Sequence, residues 1–563
     1  MMIFQLMTSN LKKEVIFATF AGCLLLLYSS PLFSQGAGAV RDHAAHVVVI
    51  GIDGLSPDGI RTAHTPVMDQ MIQGGAYSLH ARAVMPTNSG PNWGSMIMGS
   101  PPEQHGILVN DWARDNFLLP PVVTRNENLY PTLFAVIRDQ LPGAEIGAVL
   151  DWNPIIRFIE EDVLSFQALP SNEDETTETA AEYLREKTPR FTFVHIDHVD
   201  GAGHRYGHGS PEYYLSVEKA DSLIGEIVKA VEEAGMIDET VFILSSDHGG
   251  VGYGHGGNTL AEIEIPFLVY GKGVKKGHRL HLPINVYDVA VTAVYALGLE
   301  IPYEWTGRPA KAAFEWNEDP VLHYTLNHLD PAPVILPEGT GFAQSGGLFI
   351  GEPALMEIKH PSERGEIRYT KDGTMPSGTS QLYSAPIELR ENVTVQARLF
   401  EGERPVSDVS RGYFRFIDNP EGHGLHYRTY LADGIRMLSD FEFETPESDG
   451  VTLEISSEQV EMPRRNDVAV LFEGFIEIPR MGRYLFYLSS DDGSRLFING
   501  NEIVNNDGDH GVITKSGAVI LTENRHHIRV EWFNAGGGYW LEAMIEGPGL
   551  PRQVIPASWL FPE

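Results

Sequence analysis

From about residue 45 to 315, short apolar runs alternate with stretches of helical period, and this alternation restricts the fold more than any other feature. His46–Ile50, Ala144–Leu150, Phe191–Ile196, Val241–Leu244 and Phe267–Tyr270 read as buried strands. Between them lie helical stretches such as Pro211–Ala234 and Val286–Leu297. Strands alternating with helices predict an α/β domain, a largely parallel sheet with helices on both faces.

The texture changes after about residue 320. Pro331, Pro333 and Pro337, then Gly339, Gly341, Gly346 and Gly347, mark a linker and a new unit. Leu355–Lys359, Glu366–Thr370 and Val393–Arg398 alternate with period two, which predicts a small β-sandwich. A third, β-rich unit contains Tyr484–Leu488, Arg495–Ile498 and His527–Trp532. The expected organisation is a leader at 1–35, the α/β unit at 40–318, a sandwich at 330–417 and an all-β unit at 422–563. A chain of 563 residues has room for such a series.

The leader is read from Lys12 and Lys13, the apolar run Val15–Tyr28, and the small or polar residues Ser29, Ser30 and Ser34–Ala39. The run is shorter than the ~20 residues of a spanning helix. Export with no integral membrane span in the mature chain is therefore expected, to the periplasm, the cell surface or the medium. Cys23, the single cysteine, falls inside this leader, so the mature chain would carry no disulfide. Phe20-Ala21-Gly22-Cys23 resembles a lipoprotein cleavage box, but Leu24–Leu27 continue the apolar run past it. The formal net charge of −35 argues against binding a nucleic-acid polymer. A small phosphate ester held through cations is compatible with it, because bound cations dominate the local field.

Acidic and histidine residues recur just past the predicted strands. Asp53 ends the first strand, Asp200 and His204 follow Phe191–Ile196, and Asp247 and His248 follow Val241–Leu244, with His255 seven residues on. Parallel strands would bring these groups to one carboxyl edge, where open α/β sheets place their ligand sites. Such a cluster needs cations between its members, and mixed oxygen and nitrogen ligands suit zinc or another first-row divalent ion. Two such ions can clamp the attacking and leaving oxygens of a phosphoryl displacement. Each residue alone would be a cap, a turn former or a satisfied polar group; the set in this order carries the reading. His195 and His198 are read as supporting or structural.

Ser89 precedes Gly90-Pro91, at the expected start of a helix running to Met98. It caps that helix if taken alone; beside the metal set it becomes a nucleophile activated by coordination. Asn110 is either an amide donor to a phosphate oxygen or a turn asparagine.

Val48–Gly54, Pro86–Asn92, Pro102–Ile107, Asp200–His204, Ser246–Gly249 and Gly254–Gly256, with Tyr287–Ala290, Pro302 and Gly307, resemble the alkaline phosphatase superfamily, in its nucleotide pyrophosphatase/phosphodiesterase branch. The resemblance implies one zinc on Asp53, Asp247, His248 and the Ser89 oxygen, and another on Asp200, His204 and His255. It implies Ser89 as nucleophile and Asn110 as phosphate binder. Serine stands where phosphodiesterases usually carry threonine, and Trp93 and Gly94 replace more polar residues; both leave the ester class open. Ile367–Pro376 resembles the C-terminal domain of chitobiase and β-hexosaminidase. Residues from Gly424 on, with Tyr484–Ser494 and Gly538–Trp540, resemble a PA14 domain. That likeness implies glycan binding and calcium at Asp491 and Asp492, unless the pair only shapes a hairpin turn with Gly493. The chain is thus expected to be an exported two-metal phosphoric ester hydrolase of phosphodiesterase type. A phosphomonoesterase or phosphonate hydrolase on the same site, and a glycan-binding protein with a vestigial hydrolase domain, are the rival readings.

Overall fold

The structure is a computed structural model that describes residues 43–125, 128–324, 326, 328–339, 345–360 and 365–563. The leader expected at 1–35, with Cys23, lies outside the described residues.

Eight strands form the first sheet: β1 (His46–Ile52), β2 (Ala76–Arg82), β3 (Ile146–Leu150), β4 (Phe166–Ala168), β5 (Phe191–Ile196), β6 (Thr240–Ser245), β7 (Glu264–Gly271) and β8 (His278–Arg279). Their order is β4-β3-β5-β1-β6-β7-β2-β8. The strands from β4 to β6 are mutually parallel. β1 is buried on both faces, and its side chains alternate between two cores. Val47 and Val49 join Trp93, Phe193 and Ile243 in one core. Val48, Ile50 and Ile52 join Val194, Phe242, Val217 and Ile224 in the other. Double-sided burial is why β1 reads as an unbroken apolar run, and each fully buried Val or Ile contributes about 1.5–3 kcal/mol.

The strand expected at Phe267–Tyr270 departs from the parallel pattern: β7 runs antiparallel to both β6 and β2. Another parallel strand would need a crossover along a sheet face. Instead, the segment after β6 stays at the carboxyl edge, carrying Asp247, His248 and His255, and re-enters the sheet through the short helix Leu260–Ile263.

The middle region is a sandwich of a five-stranded and a three-stranded sheet, packed around Met356, Ile358, Tyr369, Val395 and Phe414. The C-terminal region is a second sandwich of a seven-stranded and a four-stranded sheet, with Phe486, Leu488, Val530 and Trp532 in its core. Gly482–Asp491 belongs to its four-stranded sheet and Ser494–Ile498 to its seven-stranded one. Asp491-Asp492-Gly493 therefore crosses between sheets, and the hairpin-turn alternative for this triplet is incorrect. Among the described residues no helix is long and apolar enough to cross a membrane.

Candidate metal centre

Parallel β1, β5 and β6 deliver the sequence-identified acids and imidazoles to one edge as two groups. In the first, Asp53 follows β1, and Asp247 and His248 follow β6; their ligand-type atoms lie within 4.8 Å of one another. His248 Nε2 is 3.0 Å from Asp247 Oδ2 and 3.4 Å from Asp53 Oδ1. In the second group, Asp200 and His204 lie one turn apart on the helix His198–Tyr206, and His255 comes from the loop after β6. His204 Nε2 is 3.1 Å from Asp200 Oδ2, and His255 Nε2 is 3.7 Å from Asp200 Oδ1. The His248 and His255 rings stack with centroids 3.6 Å apart, which joins the groups.

Three imidazoles share one arrangement. His248 Nδ1 meets Gly249 O, His204 Nδ1 meets Tyr253 O, and His255 Nδ1 meets Thr87 O, each at 2.8 Å. A carbonyl only accepts, so each Nδ1 carries a proton and Nε2 is the nitrogen left to face the cluster. His195 is the opposite case. The Trp152 N–H donates to its Nδ1 at 3.2 Å, so the proton sits on Nε2, 3.3 Å from Asp53 Oδ2. His195 thus orients Asp53 by donating to it, although it also groups with Asp53 and Asp197. His198 contacts Ser216 O at 3.1 Å and stays out of both groups.

Asp53 Oδ1, Asp247 Oδ2 and Asp200 Oδ1 are buried without a hydrogen-bond partner. Orphaned buried carboxylate oxygens are costly, and one falls on each of the three acids facing an imidazole Nε2. This donor set fits divalent cations. The electrostatics agree: burial, then the Asp247 charge, holds the Asp53 carboxyl above the usual range. The Asp200 charge lifts His204 to about 9. At His248 burial works downward, but Asp247 outweighs it and the imidazole is pushed up to about 10. The clusters draw positive charge, which protons supply when no cation is bound.

Ser89 is the first residue of the helix Ser89–Met98; Asn88 occupies the cap position and makes no side-chain cap bond. The Ser89 hydroxyl lies 3.3 Å from His248 Nε2, against the first cluster. Asn110 Oδ1 accepts the Gly90 N–H at 2.7 Å, which holds the amide beside Ser89. Thr87 stitches the segment before Ser89 to the His255 loop: its hydroxyl donates to Gly257 O at 2.9 Å and accepts from the Gly256 N–H at 3.0 Å. Asp492 Oδ1 accepts from the His510 N–H at 2.9 Å and Oδ2 from the Ala535 N–H at 2.8 Å. Burial, with the neighbouring Asp492, pushes Asp491 up to about 8.

Sequence reasoning missed several supporting residues. The Trp93 indole N–H donates to Asp53 Oδ2 at 3.0 Å, so the apolar departure in the motif is a carboxylate-orienting donor. Gly51 makes room for it, since a Cβ there would lie 2.5 Å from the indole. Gly54 combines φ +67° with a Cβ position 2.8 Å from the Asp200 backbone, so only glycine joins the clusters this closely. His208 is buried, burial pushes it down to about 3, and its Nε2 is 3.7 Å from Asp200 Oδ1. The sequence signal for His208 was its spacing, four residues past His204.

Residues 47–263 match the family model described as "Type I phosphodiesterase / nucleotide pyrophosphatase", 356–414 the model "Fn3 associated", and 422–555 the model "PA14 domain". The chain is 24% identical over 295 residues to GPI ethanolamine phosphate transferase 1 of Candida glabrata, covering 47% of this chain and 32% of that protein. It is 23% identical over 241 residues to mouse ectonucleotide pyrophosphatase/phosphodiesterase family member 1, covering 36% and 24%. It is 24% identical over 236 residues to human bis(5'-adenosyl)-triphosphatase ENPP4, covering 40% and 52%. The chain thus spans roughly a quarter to a half of the length of these relatives. Residues 47–263 are thus similar to the type I phosphodiesterase / nucleotide pyrophosphatase family, and a PA14 domain spans 422–555.

Proposed function

We propose that this protein is an exported phosphoric ester hydrolase of phosphodiesterase type, working through two divalent cations and Ser89. The observation that carries this reading is the set of three orphaned carboxylate oxygens facing imidazole Nε2 atoms beside a helix-start hydroxyl. Asp53, Asp247, His248 and the Ser89 oxygen would hold one cation, and Asp200, His204 and His255 the other. Bound there, zinc or a similar ion neutralises phosphate charge and lowers the pKa of the serine hydroxyl.

Ser89 Oγ attacks phosphorus in line, forming the Ser89 O–P bond as the ester P–O bond breaks; the hydroxyl proton passes to solvent, and the departing alkoxide takes one up to leave as the alcohol. The helix that starts at Ser89 turns its positive dipole end toward the phosphoryl oxygens. Asn110, its carbonyl occupied by Gly90, offers its NH2 group to a non-bridging oxygen as charge builds. Water then releases the phosphoryl group from Ser89. A phosphate ester is the partner, and a nucleotide is one member of that class supported by the family.

The PA14 domain would bind a glycan, with calcium at Asp491 and Asp492; the carboxyl pushed up by burial is the feature that suits a cation. A rise in Tm on adding calcium supports this, and an unchanged Tm refutes it.

The main test compares bis(p-nitrophenyl) phosphate with p-nitrophenyl phosphate, before and after chelation and zinc restoration. Faster, zinc-dependent cleavage of the diester is expected. Preference for the monoester would make the protein a phosphomonoesterase, and activity unaffected by chelation would refute the two-metal reading.

A further inference from the structure

The helix His198–Tyr206 holds two residues of the second cluster, and its last turn is completed from another domain. In an α-helix the His204 carbonyl would accept from the N–H of residue 208. Here the His208 N–H goes to Gly252 O at 2.7 Å, which leaves the His204 carbonyl without its helical donor. The donor comes from 261 residues away: Arg465 Nη2 in the PA14 domain reaches His204 O at 3.3 Å. Its guanidinium carbon also lies 5.9 Å from the centre of the Tyr253 ring and 5.5 Å from that of Tyr539, a PA14 residue. Tyr253 matters because its carbonyl fixes the His204 ring through Nδ1 at 2.8 Å.

The guanidinium therefore contacts both the backbone that bears His204 and the residue that sets its tautomer. Arg465 is itself held in place: its carbonyl accepts from the buried Asn534 Nδ2 at 2.7 Å. A second PA14 segment reaches the same cluster, since the Cβ position of Gly511 is 3.4 Å from His255 O. Among the described residues, those that orient Asp53, Asp247 and His248 include Gly54, Trp93, His195, Ser246 and Gly249, all from the α/β region.

We infer that Arg465 is a positioning residue for the second metal site, so that the PA14 domain is part of the hydrolase centre and not only an appended binding module. This rests on reading Asp200, His204 and His255 as a cation site. A planar cationic donor suits the task, because one group can hydrogen-bond a carbonyl while stacking between aromatic rings.

The test is zinc binding by the full-length chain after metal removal, followed by calorimetric titration, for wild type, Arg465→Ala, Arg465→Lys and Arg525→Ala. Arg525 contacts Glu477 and Phe561 within the C-terminal sandwich and serves as the control. Wild type and Arg525→Ala should each bind two zinc equivalents. Arg465→Ala should weaken one equivalent by roughly tenfold and spare the other, as for residues that orient metal ligands. Arg465→Lys should recover part of the loss, since lysine retains a cationic donor. Faster hydrogen exchange at 204–208 and 251–255 in Arg465→Ala, with unchanged far-UV circular dichroism, would tie the loss to this segment. Two unchanged equivalents in Arg465→Ala, or equal weakening of both, would overturn the inference alone. A wild type that binds no zinc would overturn the two-metal reading together with it.

Discussion

The two acid–imidazole clusters differ in what holds them. The first sits on the ends of β1 and β6, strands that are neighbours at the centre of the sheet, and its three ligands are at most 1% exposed. The second sits on a nine-residue helix and a loop, with His204 partly exposed, and is braced from the PA14 domain. A strand end inherits the rigidity of the sheet. A short helix with an unsatisfied last turn does not, and must find its donor elsewhere. Ser89, the proposed nucleophile, lies against the rigid cluster, where attack geometry matters most.

The contrast can be broken most directly at Ser89. Ser89→Ala should lower kcat for a diester by at least about 10³-fold while both zinc equivalents stay bound, since six protein ligands remain. Full activity in that variant would end the covalent route.

Removing one ligand from each cluster is the next test. His204→Ala should lose the second zinc equivalent, by more than ~100-fold in affinity, and leave the first in place. Asp247→Asn should do the reverse, read by metal analysis after dialysis. Loss of both equivalents in either variant would mean that the clusters form one cooperative site.

A smaller effect is expected from Trp93→Phe, which keeps the buried ring in its place over Gly51 but removes the donor to Asp53. Zinc affinity should fall by about tenfold at the first cluster only. An unchanged affinity would show that His195 suffices to orient the carboxylate.

The smallest effect concerns a buried carboxylate outside any ligand cluster. Burial pushes Glu542 of the PA14 domain up to about 8 from its ordinary 4.5. Its folded state binds the extra proton between those values, so its stabilising contribution is complete below pH 4.5 and is lost as pH rises through about 8. Glu542→Gln should flatten this decline and recover about 2–4 °C of Tm at pH 8. An unchanged pH profile of Tm would mean that another group carries the slope.

Much of this molecule can be read from residue order. β1 and β5 are legible because burial on both faces leaves an apolar run with no other explanation. The candidate ligands are legible because all six follow one of three strands, and parallel neighbours align strand ends. The antiparallel β7 was not legible, since an apolar run carries no direction. Nor was the helix-cap alternative for Ser89 decidable by spacing: Asn88 and Ser89 are both cap-forming residue types, and only the backbone puts Asn88 at the cap. Trp93 read as a departure because its partner, Asp53, is forty residues away and the space for its ring is made by Gly51 on another element.

The sequence alone determined the α/β alternation, the two sandwiches and the acids and histidines at the strand ends, because periodicity and local chemistry are written in neighbouring residues. Tertiary structure alone decided which imidazole nitrogen faces the cluster, which carboxylate oxygens are left without partners, and that Arg465 completes a helix 261 residues away. Those depend on which backbone groups the fold has already paired, and pairing across such distances leaves no periodic trace in the chain.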